Sequence, residues 1–341
     1  MVIKEHVPIP DITTMRIGGH AFRLIEIEDS IELPRAIEYA KEHDLNYYFI
    51  GSGANLIGTD RGFRGVLIKN NLMGIDILEK TDSKLSLKVA GGEDWDHLSH
   101  YVSNLNYTGA EAMAKIPGTV GAAPVQNIGA YGQEIKDVLT KVDVFDAKTG
   151  EFCTLENKDL DFSYRHSIFN HGKSAGRYFI LYVYFEFTKG EIKPPFYISL
   201  QNYVEENSVT DFSPANIYKI ISRIRAAKIP TPDLYPSAGS FFKNIILTPE
   251  EAEIAKNKNI PVWPNGDGNF KINSGWLLEA AGLNGKIFHG FKVNETASLI
   301  LLNVGARHYS ELAAARAEIC DIIKEKFGYD LEQEPVELPY D

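Results

Sequence analysis

Ile116-Pro117-Gly118-Thr119-Val120-Gly121-Ala122-Ala123-Pro124-Val125-Gln126-Asn127-Ile128-Gly129-Ala130-Tyr131-Gly132 runs for seventeen positions without a charge, with glycine at 118, 121, 129 and 132. The run is too broken by Gly and Pro for a helix, and too apolar for an ordinary exposed loop. Glycine permits backbone angles and close approaches that a side chain would block. Two readings fit. One is a buried hairpin with glycines at its bends; the other is main-chain N–H groups laid against a phosphate or a flat ring.

Two shorter glycine turns share the setting. Gly51-Ser52-Gly53-Ala54-Asn55 directly follows the strand-like Tyr47-Tyr48-Phe49-Ile50, and Ala90-Gly91-Gly92-Glu93-Asp94-Trp95 follows the alternating segment Leu85 to Ala90. The first adds the hydrogen-bonding side chains of Ser52 and Asn55. It is not a G-x-G-x-x-G fingerprint and no helix pattern follows it, so a Rossmann reading fails. A tight strand-ending turn explains it equally well. In the second, Glu93, Asp94 and Asp96 suit the positive end of a helix, but a helix entry does not require adjacent glycines. Three such loops in one strand-rich region suggest an extended ligand held largely by main chain.

Around these loops the chain reads as an α+β protein. Its 341 residues allow two or three domains. Residues 1–70 form a β-α-β unit: a strand over Phe22 to Ile27, a helix through Ile31, Ala36, Ile37 and Ala40, and a strand at Val66 to Ile68. Strand signals dominate 71–190, ending in the aromatic run Tyr178 to Phe187, with one helix between Asp94 and Leu105. After the polar stretch 189–211 the character changes. Ser213-Pro214 starts a helix with Ser as cap, and it should stop before Pro230. Thr248-Pro249-Glu250-Glu251 starts another with a capping-box Glu, and a last helix runs from Ser310 to Phe327 before Gly328. Boundaries are placed near 70 and 210.

Composition narrows the partners. A net charge of -11 argues against nucleic acid. Cys153 and Cys320 lack metal-ligand spacing and offer no disulfide framework, which fits a reducing compartment. No signal-peptide or membrane-spanning run occurs, so a cytoplasmic protein with no membrane partner is expected.

Four places could carry chemistry. In Tyr164-Arg165-His166-Ser167-Ile168-Phe169, Arg165 supplies a fork of donors for a carboxylate or phosphate, or serves only as a surface ion-pair residue. Arg223, Arg225 and Lys228 complement a helix C-terminus, and could equally meet a diphosphate. Ser240, in Ala238-Gly239-Ser240-Phe241-Phe242-Lys243-Asn244, is not in G-x-S-x-G; its hydroxyl either donates a proton rather than attacks, or is only a buried loop serine satisfied by backbone. Three glutamates close the tail at 332, 334 and 337, and spacing does not choose among them.

These motifs, in this order, resemble the MurB family of flavin-dependent UDP-N-acetylenolpyruvoylglucosamine reductases over nearly the whole chain. The runs 116–132 and 238–244 are its most specific signatures; the 51–56 loop is shared with flavin oxidases. The resemblance implies an FAD-binding fold of the vanillyl-alcohol-oxidase/PCMH type, two α+β subdomains, plus a MurB-type C-terminal α+β substrate domain. It implies subdomain 1 over 1–70 joined by the tail 331–341, subdomain 2 over 71–210, FAD within about 17–190, and substrate binding over 211–330. Non-covalent FAD is then held by Gly51, Ser52, Gly53, Asn55, Gly118, Thr119, Gly121, Ala122, Gln126, Ile128 and Gly129. NADPH reduces the flavin, and its N5 passes hydride to the enolpyruvyl double bond of enolpyruvyl-UDP-GlcNAc, a step of peptidoglycan precursor synthesis. Ser240 matches the family's proton donor, Arg165 its carboxylate-polarising arginine and Glu334 its C-terminal glutamate. Lys228, Asn244 and Tyr197 match substrate-binding positions. Pro335 stands where the family has Val, Asn294 where many members have His, and Tyr197 needs a one-residue gap. No metal is implied, and the chain is expected to act as a monomer. A sugar or lactone oxidase of the same fold is the alternative; such enzymes often attach FAD through His, and no His occurs in 51–58 or 116–132.

Overall fold

The computed structural model describes residues 1–194, 196–232, 234–265 and 268–339. The N-terminal segment builds a four-stranded sheet in the order Val2–Pro8, His20–Ile27, Phe63–Asn70, Tyr47–Ile50. The last three strands are parallel, as the β-α-β pattern requires, and the first pairs antiparallel. The crossover helix Leu33–Glu42 buries Leu33, Ala36, Ile37 and Ala40 against Ile25, Ile27, Val66 and Ile68.

The strand-rich region forms an antiparallel sheet in the order Glu151–Glu156, Leu139–Asp146, Tyr178–Lys189, Lys84–Ala90, Ile75–Lys80. The strand Tyr178–Lys189 carries a bulge. Tyr182 lies opposite Asp143 and Ile180 opposite Val144, so Leu181 is the extra residue. A bulge reverses which face successive side chains take. Accordingly Val183, Phe185 and Phe187 pack with Trp95, Leu98 and Val102, whereas Phe179 and Leu181 pack on the first sheet and its helix. One strand thus feeds two cores, and the freed Leu181 carbonyl accepts the Gly91 N–H at 2.8 Å.

The C-terminal residues make two small three-stranded sheets and the helices Pro249–Asn257, Ser274–Ala280 and Tyr309–Phe327. Their core includes Met15, Ile17 and Ile57 from the N-terminal segment. The expected capping box at Thr248 is present, and Gly328 ends the last helix in a left-handed conformation with φ 81°. Two local readings change. Ser213 makes no side-chain cap; its N–H instead donates to the Asp211 carboxylate at 2.9 Å, and Pro214 opens the helix Pro214–Lys228. The polar stretch before it holds a helix, Ile198–Glu206, whose Leu200 and Val204 pack on Ile217, Ile221 and Ile224. This pair of helices shares its cluster with Ala114 and Tyr131, on the side of the strand-rich region. Among the described residues no helix is long and apolar enough to cross a membrane.

Candidate active site

The glycine loops meet at the centre of the molecule, and most of their glycines are there to let backbone touch backbone. Gly121 donates its N–H to the Gly91 carbonyl at 2.8 Å, Val120 to Glu93 at 2.8 Å, and Trp95 to Gly118 at 3.1 Å. A Cβ on Gly121 would sit 2.9 Å from the Gly91 Cα, and one on Gly53, at φ +74°, only 2.0 Å from the Ile12 carbonyl oxygen. The Ala90–Trp95 turn is therefore a brace behind the long run. Asp94 caps the helix Trp95–Asn104 through the His97 N–H, as its position suggested.

Two adjoining cavities open against this brace. The first, of about 210 Å³, is walled by Tyr48, Phe49, Tyr178 and Phe179 and by the 51–56 and 117–128 segments. Of the sequence candidates, Gly51, Ser52, Gly53, Asn55, Gly118, Thr119, Gly121, Ala122, Gln126 and Ile128 line it. Gly129 does not; it pairs with Glu134 in a short hairpin. The second cavity, of about 740 Å³, shares Ser52, Asn70, Gly118 and Thr119 with the first. It adds Thr13, Thr14, Arg16 and Lys69, which sequence reasoning passed over because they sit in no glycine motif.

Some of the donors of this cleft lack protein partners. Among the described residues, the N–H groups of Ser52, Gly53, Ala54 and Asn55 donate to no main-chain carbonyl. Thr119 Oγ1 is buried with no hydrogen-bond partner at all. Buried polar groups are normally paired, so the Thr119 hydroxyl marks a place for a ligand oxygen, with the open N–H groups of 52–55 beside it. Neutral donors beside an aromatic wall fit an elongated ligand with a flat ring and an anionic middle.

At one end of the cleft the tail and the Ser240 segment come together. Val336–Glu337 adds a parallel strand to Leu56–Ile57, and the Val336 N–H donates to the Asn55 carbonyl at 2.9 Å. The Glu334 N–H donates to the Phe241 carbonyl at 2.9 Å and the Lys243 N–H to the Glu332 carbonyl at 2.8 Å. Ser240 itself bridges to Ile300. Arg165 Nε donates to Glu334 Oε1 at 2.6 Å, with side chains 19% and 12% exposed. Burial works against the guanidinium charge, but Glu334, with Tyr164 and Glu134, outweighs it and raises the Arg165 pKa. Arg165 thus stays a fixed cation. Its backbone is left-handed at φ 54°, a conformation costing a non-glycine residue roughly 1–2 kcal/mol. Gln126 links the parts: it accepts from Asn55 Nδ2 at 2.8 Å and donates to the Glu334 carbonyl at 3.3 Å.

Ser240, Arg165 and Glu334 are in neither cavity lining and reach the cleft through Gln126 and Val336; the remaining candidates also lie outside both linings. Asn244 accepts the Ser274 N–H on its Oδ1 at 3.2 Å, and its own N–H donates to the Tyr164 hydroxyl at 3.2 Å. The Tyr197 ring, 45% exposed, meets Tyr131 edge-on at 5.6 Å. Lys228 is exposed at its helix end, and its carbonyl accepts from Asn294 Nδ2 and Thr296 Oγ1, each at 2.8 Å. Arg225 is half-buried beside Tyr131 and donates Nη2 to the Lys115 carbonyl at 3.3 Å; desolvation lowers its pKa, and its Nε has no partner. Among the described residues no group of three His, Cys, Asp or Glu side chains could hold a metal ion.

Comparison with known proteins agrees with this arrangement. Residues 23–156 match the family model of the FAD binding domain, and residues 230–338 match that of the UDP-N-acetylenolpyruvoylglucosamine reductase C-terminal domain. The UDP-N-acetylenolpyruvoylglucosamine reductase of Chromobacterium violaceum is 32% identical over 338 residues, covering 98% of each chain. That of Porphyromonas gingivalis is 32% identical over 339 residues, again 98% of each. The crystal structure of MurB from Thermus caldophilus superposes with a TM-score of 0.66 at 22% identity, covering 99% of this chain and 100% of that one, which speaks to the fold. Fold, cleft and domain matches together define an FAD-dependent reductase of the PCMH-type fold. The chain belongs to the UDP-N-acetylenolpyruvoylglucosamine reductase (MurB) family.

Proposed function

We propose that this protein reduces the enolpyruvyl group of UDP-N-acetyl-3-O-(1-carboxyvinyl)-glucosamine to the lactyl ether of UDP-N-acetylmuramate, with NADPH as reductant. It would act as a cytoplasmic monomer in peptidoglycan precursor synthesis. The observation that carries the reading is the Arg165–Glu334 ion pair tied by main chain to the Ser240 strand, at the end of a cleft with unpaired neutral donors. Residues 1–70 with the tail 331–341, and residues 71–210, are assigned to cofactor binding, and 211–330 to the substrate.

The residues present fit FAD. Its diphosphate suits the free N–H groups of Ser52–Asn55 and the Thr119 hydroxyl, and its rings suit the aromatic wall. When bound, FAD supplies a two-electron carrier between NADPH and the substrate double bond. The chain's own work is then the rest of the reaction. Reduction places a hydride on one alkene carbon and a proton on the other. Ser240 holds that proton on its hydroxyl. Negative charge builds on the substrate carboxylate as the hydride arrives, and Arg165 stabilises it as a pre-oriented cation. Glu334 keeps the Arg165 fork in place. Lys228, Arg225, Asn244 and Tyr197 are proposed to hold the UDP-sugar, with the unpartnered Arg225 Nε suited to a diphosphate oxygen.

Purified protein should be yellow, or become so on loading with FAD, and should consume NADPH only when the enolpyruvyl substrate is present. A protein that cannot be loaded with FAD would refute the reading.

A further inference from the structure

Arg165 is held in an unfavourable backbone conformation, and the residues that hold it are distinct from the one that meets its guanidinium. The turn closes on itself: the Ser163 N–H donates to the His166 carbonyl and the His166 N–H to the Ser163 carbonyl, both at 3.2 Å. Within it Arg165 takes φ 54°, where glycine or asparagine would be the ordinary choice. A non-glycine residue persists there only when its surroundings over-determine it.

Three polar side chains provide that constraint. Asn170 donates its Nδ2 to the Arg165 carbonyl at 3.0 Å, and accepts the Ser167 N–H on its Oδ1 at 3.0 Å. Ser167, fully buried, donates its hydroxyl to the Val125 carbonyl at 2.7 Å. Asn127, also fully buried, donates its Nδ2 to the Ser163 carbonyl at 3.0 Å. The turn is therefore fastened to the Val125–Asn127 part of the glycine run, and Asn170 clasps its strained peptide.

We propose that Asn170 is a positioning residue for the reduction: its carboxamide fixes the left-handed Arg165 turn that aims the guanidinium at Glu334 and the substrate carboxylate. This rests on the role given to Arg165 above. Aspartate at 170 would still accept from the Ser167 N–H, but it would set an oxygen against the Arg165 carbonyl where a donor is needed. Arg165 would then relax toward negative φ and carry its side chain with it. A displacement on the order of 1 Å in a positioned group slows a reaction by roughly 10- to 100-fold.

The test compares Asn170→Asp, Asn170→Ala, Arg165→Ala and the double variant Arg165→Ala/Asn170→Asp as FAD-loaded enzymes. Rapid-mixing experiments follow the two half-reactions separately, alongside FAD titration and a crystal structure of Asn170→Asp. Both Asn170 variants should slow the oxidative half-reaction with substrate by about 10- to 100-fold. Flavin reduction by NADPH and FAD affinity should stay near wild type, and Arg165 should leave Glu334 in the crystal structure. In the Arg165→Ala background the second change should cost nothing further, because both act through one group. Additive losses, equal slowing of both half-reactions, or Arg165 still seated on Glu334 would each overturn the proposal. If Arg165→Ala is slow while the Asn170 variants are normal, only the role of Asn170 fails. If Arg165→Ala itself reacts as wild type, the reading of Arg165 fails and takes this one with it.

Discussion

Thr119 carries the sharpest single-residue argument. Its hydroxyl is buried, unpartnered and placed where both cavities meet. An unsatisfied buried polar group destabilises a protein alone and stabilises it once a ligand supplies the partner. Thr119→Val keeps the shape and removes the hydroxyl. The apo protein should be as stable as wild type or slightly more so, while FAD binds about 5- to 15-fold more weakly, the equivalent of one hydrogen bond of about 1–1.5 kcal/mol. Urea unfolding of the apo form and FAD titration read the two signs separately; a less stable apo form would show that the hydroxyl has a structural partner. Ser240→Ala addresses the chemistry instead. Positioned proton transfer contributes about 10²- to 10⁴-fold, so the oxidative half-reaction should fall by at least that lower figure while reduction by NADPH stays near normal. Equal slowing of both would reject the proton-donor role. Asn294 owes its role to the fold rather than to any local pattern. It appeared only as a departure from the family pattern, yet it is buried and pins the Lys228 carbonyl. No spacing rule connects two residues that meet only in the fold.

At the scale of elements, the legible parts were those with strong local signals. Helix starts with Pro at the first position, the capping box at Thr248, the Gly328 stop and the alternating strands all follow from short-range chemistry. The helix Ile198–Glu206 was hidden because its apolar residues are few and its stability comes from packing on Pro214–Lys228. The bulge at Leu181 was equally silent, since nothing in an aromatic strand announces an extra residue. That strand and its neighbour are held at their ends by an ion pair. Arg177 Nε donates to Asp146 Oδ1 at 2.7 Å and Nη2 donates to Oδ2. The bonds from Arg177 hold the Asp146 carboxyl down at about 2, below the ordinary carboxylate range. A depressed folded-state pKa gives stability that is full above the unfolded value near 4 and is lost as pH falls toward about 2. After allowance for solvent screening, Asp146→Asn should cost about 1 kcal/mol at neutral pH. The gap between variant and wild type should shrink in urea unfolding as the pH is lowered to about 3. A gap independent of pH would mean that Arg177 contributes by packing alone.

On the scale of the whole molecule, the cleft lies where separately packed cores come together. Phe179 belongs to the cluster that joins the first sheet to the second, Trp95 to the second sheet's own core, and Ile57 next to the cleft to the C-terminal core. The tail strand Val336–Glu337 returns across the chain to pair beside the first glycine turn. Sequence identified the three loops as companions but not their arrangement, because Gly91 against Gly121 is a contact between main chains and leaves no mark beyond two glycines. It also missed that the Ala90–Trp95 loop braces the long run as well as walling the larger cavity through Gly92 and Asp94. This geometry has a thermodynamic consequence. A ligand that pairs the free donors of Ser52–Asn55 and Thr119 while lying on Tyr178 and Phe179 binds across the boundary between cores. It binds the native state and not the unfolded chain, so at about 100 times its Kd it adds about 2.7 kcal/mol to stability. For a protein of this size that corresponds to a rise in melting temperature of roughly 3–6 °C. Because the ligand spans the cores, FAD should also sharpen the transition, drawing any separate melting of the C-terminal part into a single step. Scanning calorimetry with and without FAD tests both. A melting temperature indifferent to FAD would show that the cleft is not its site, and a rise in one of two separate transitions would confine the cofactor to one core.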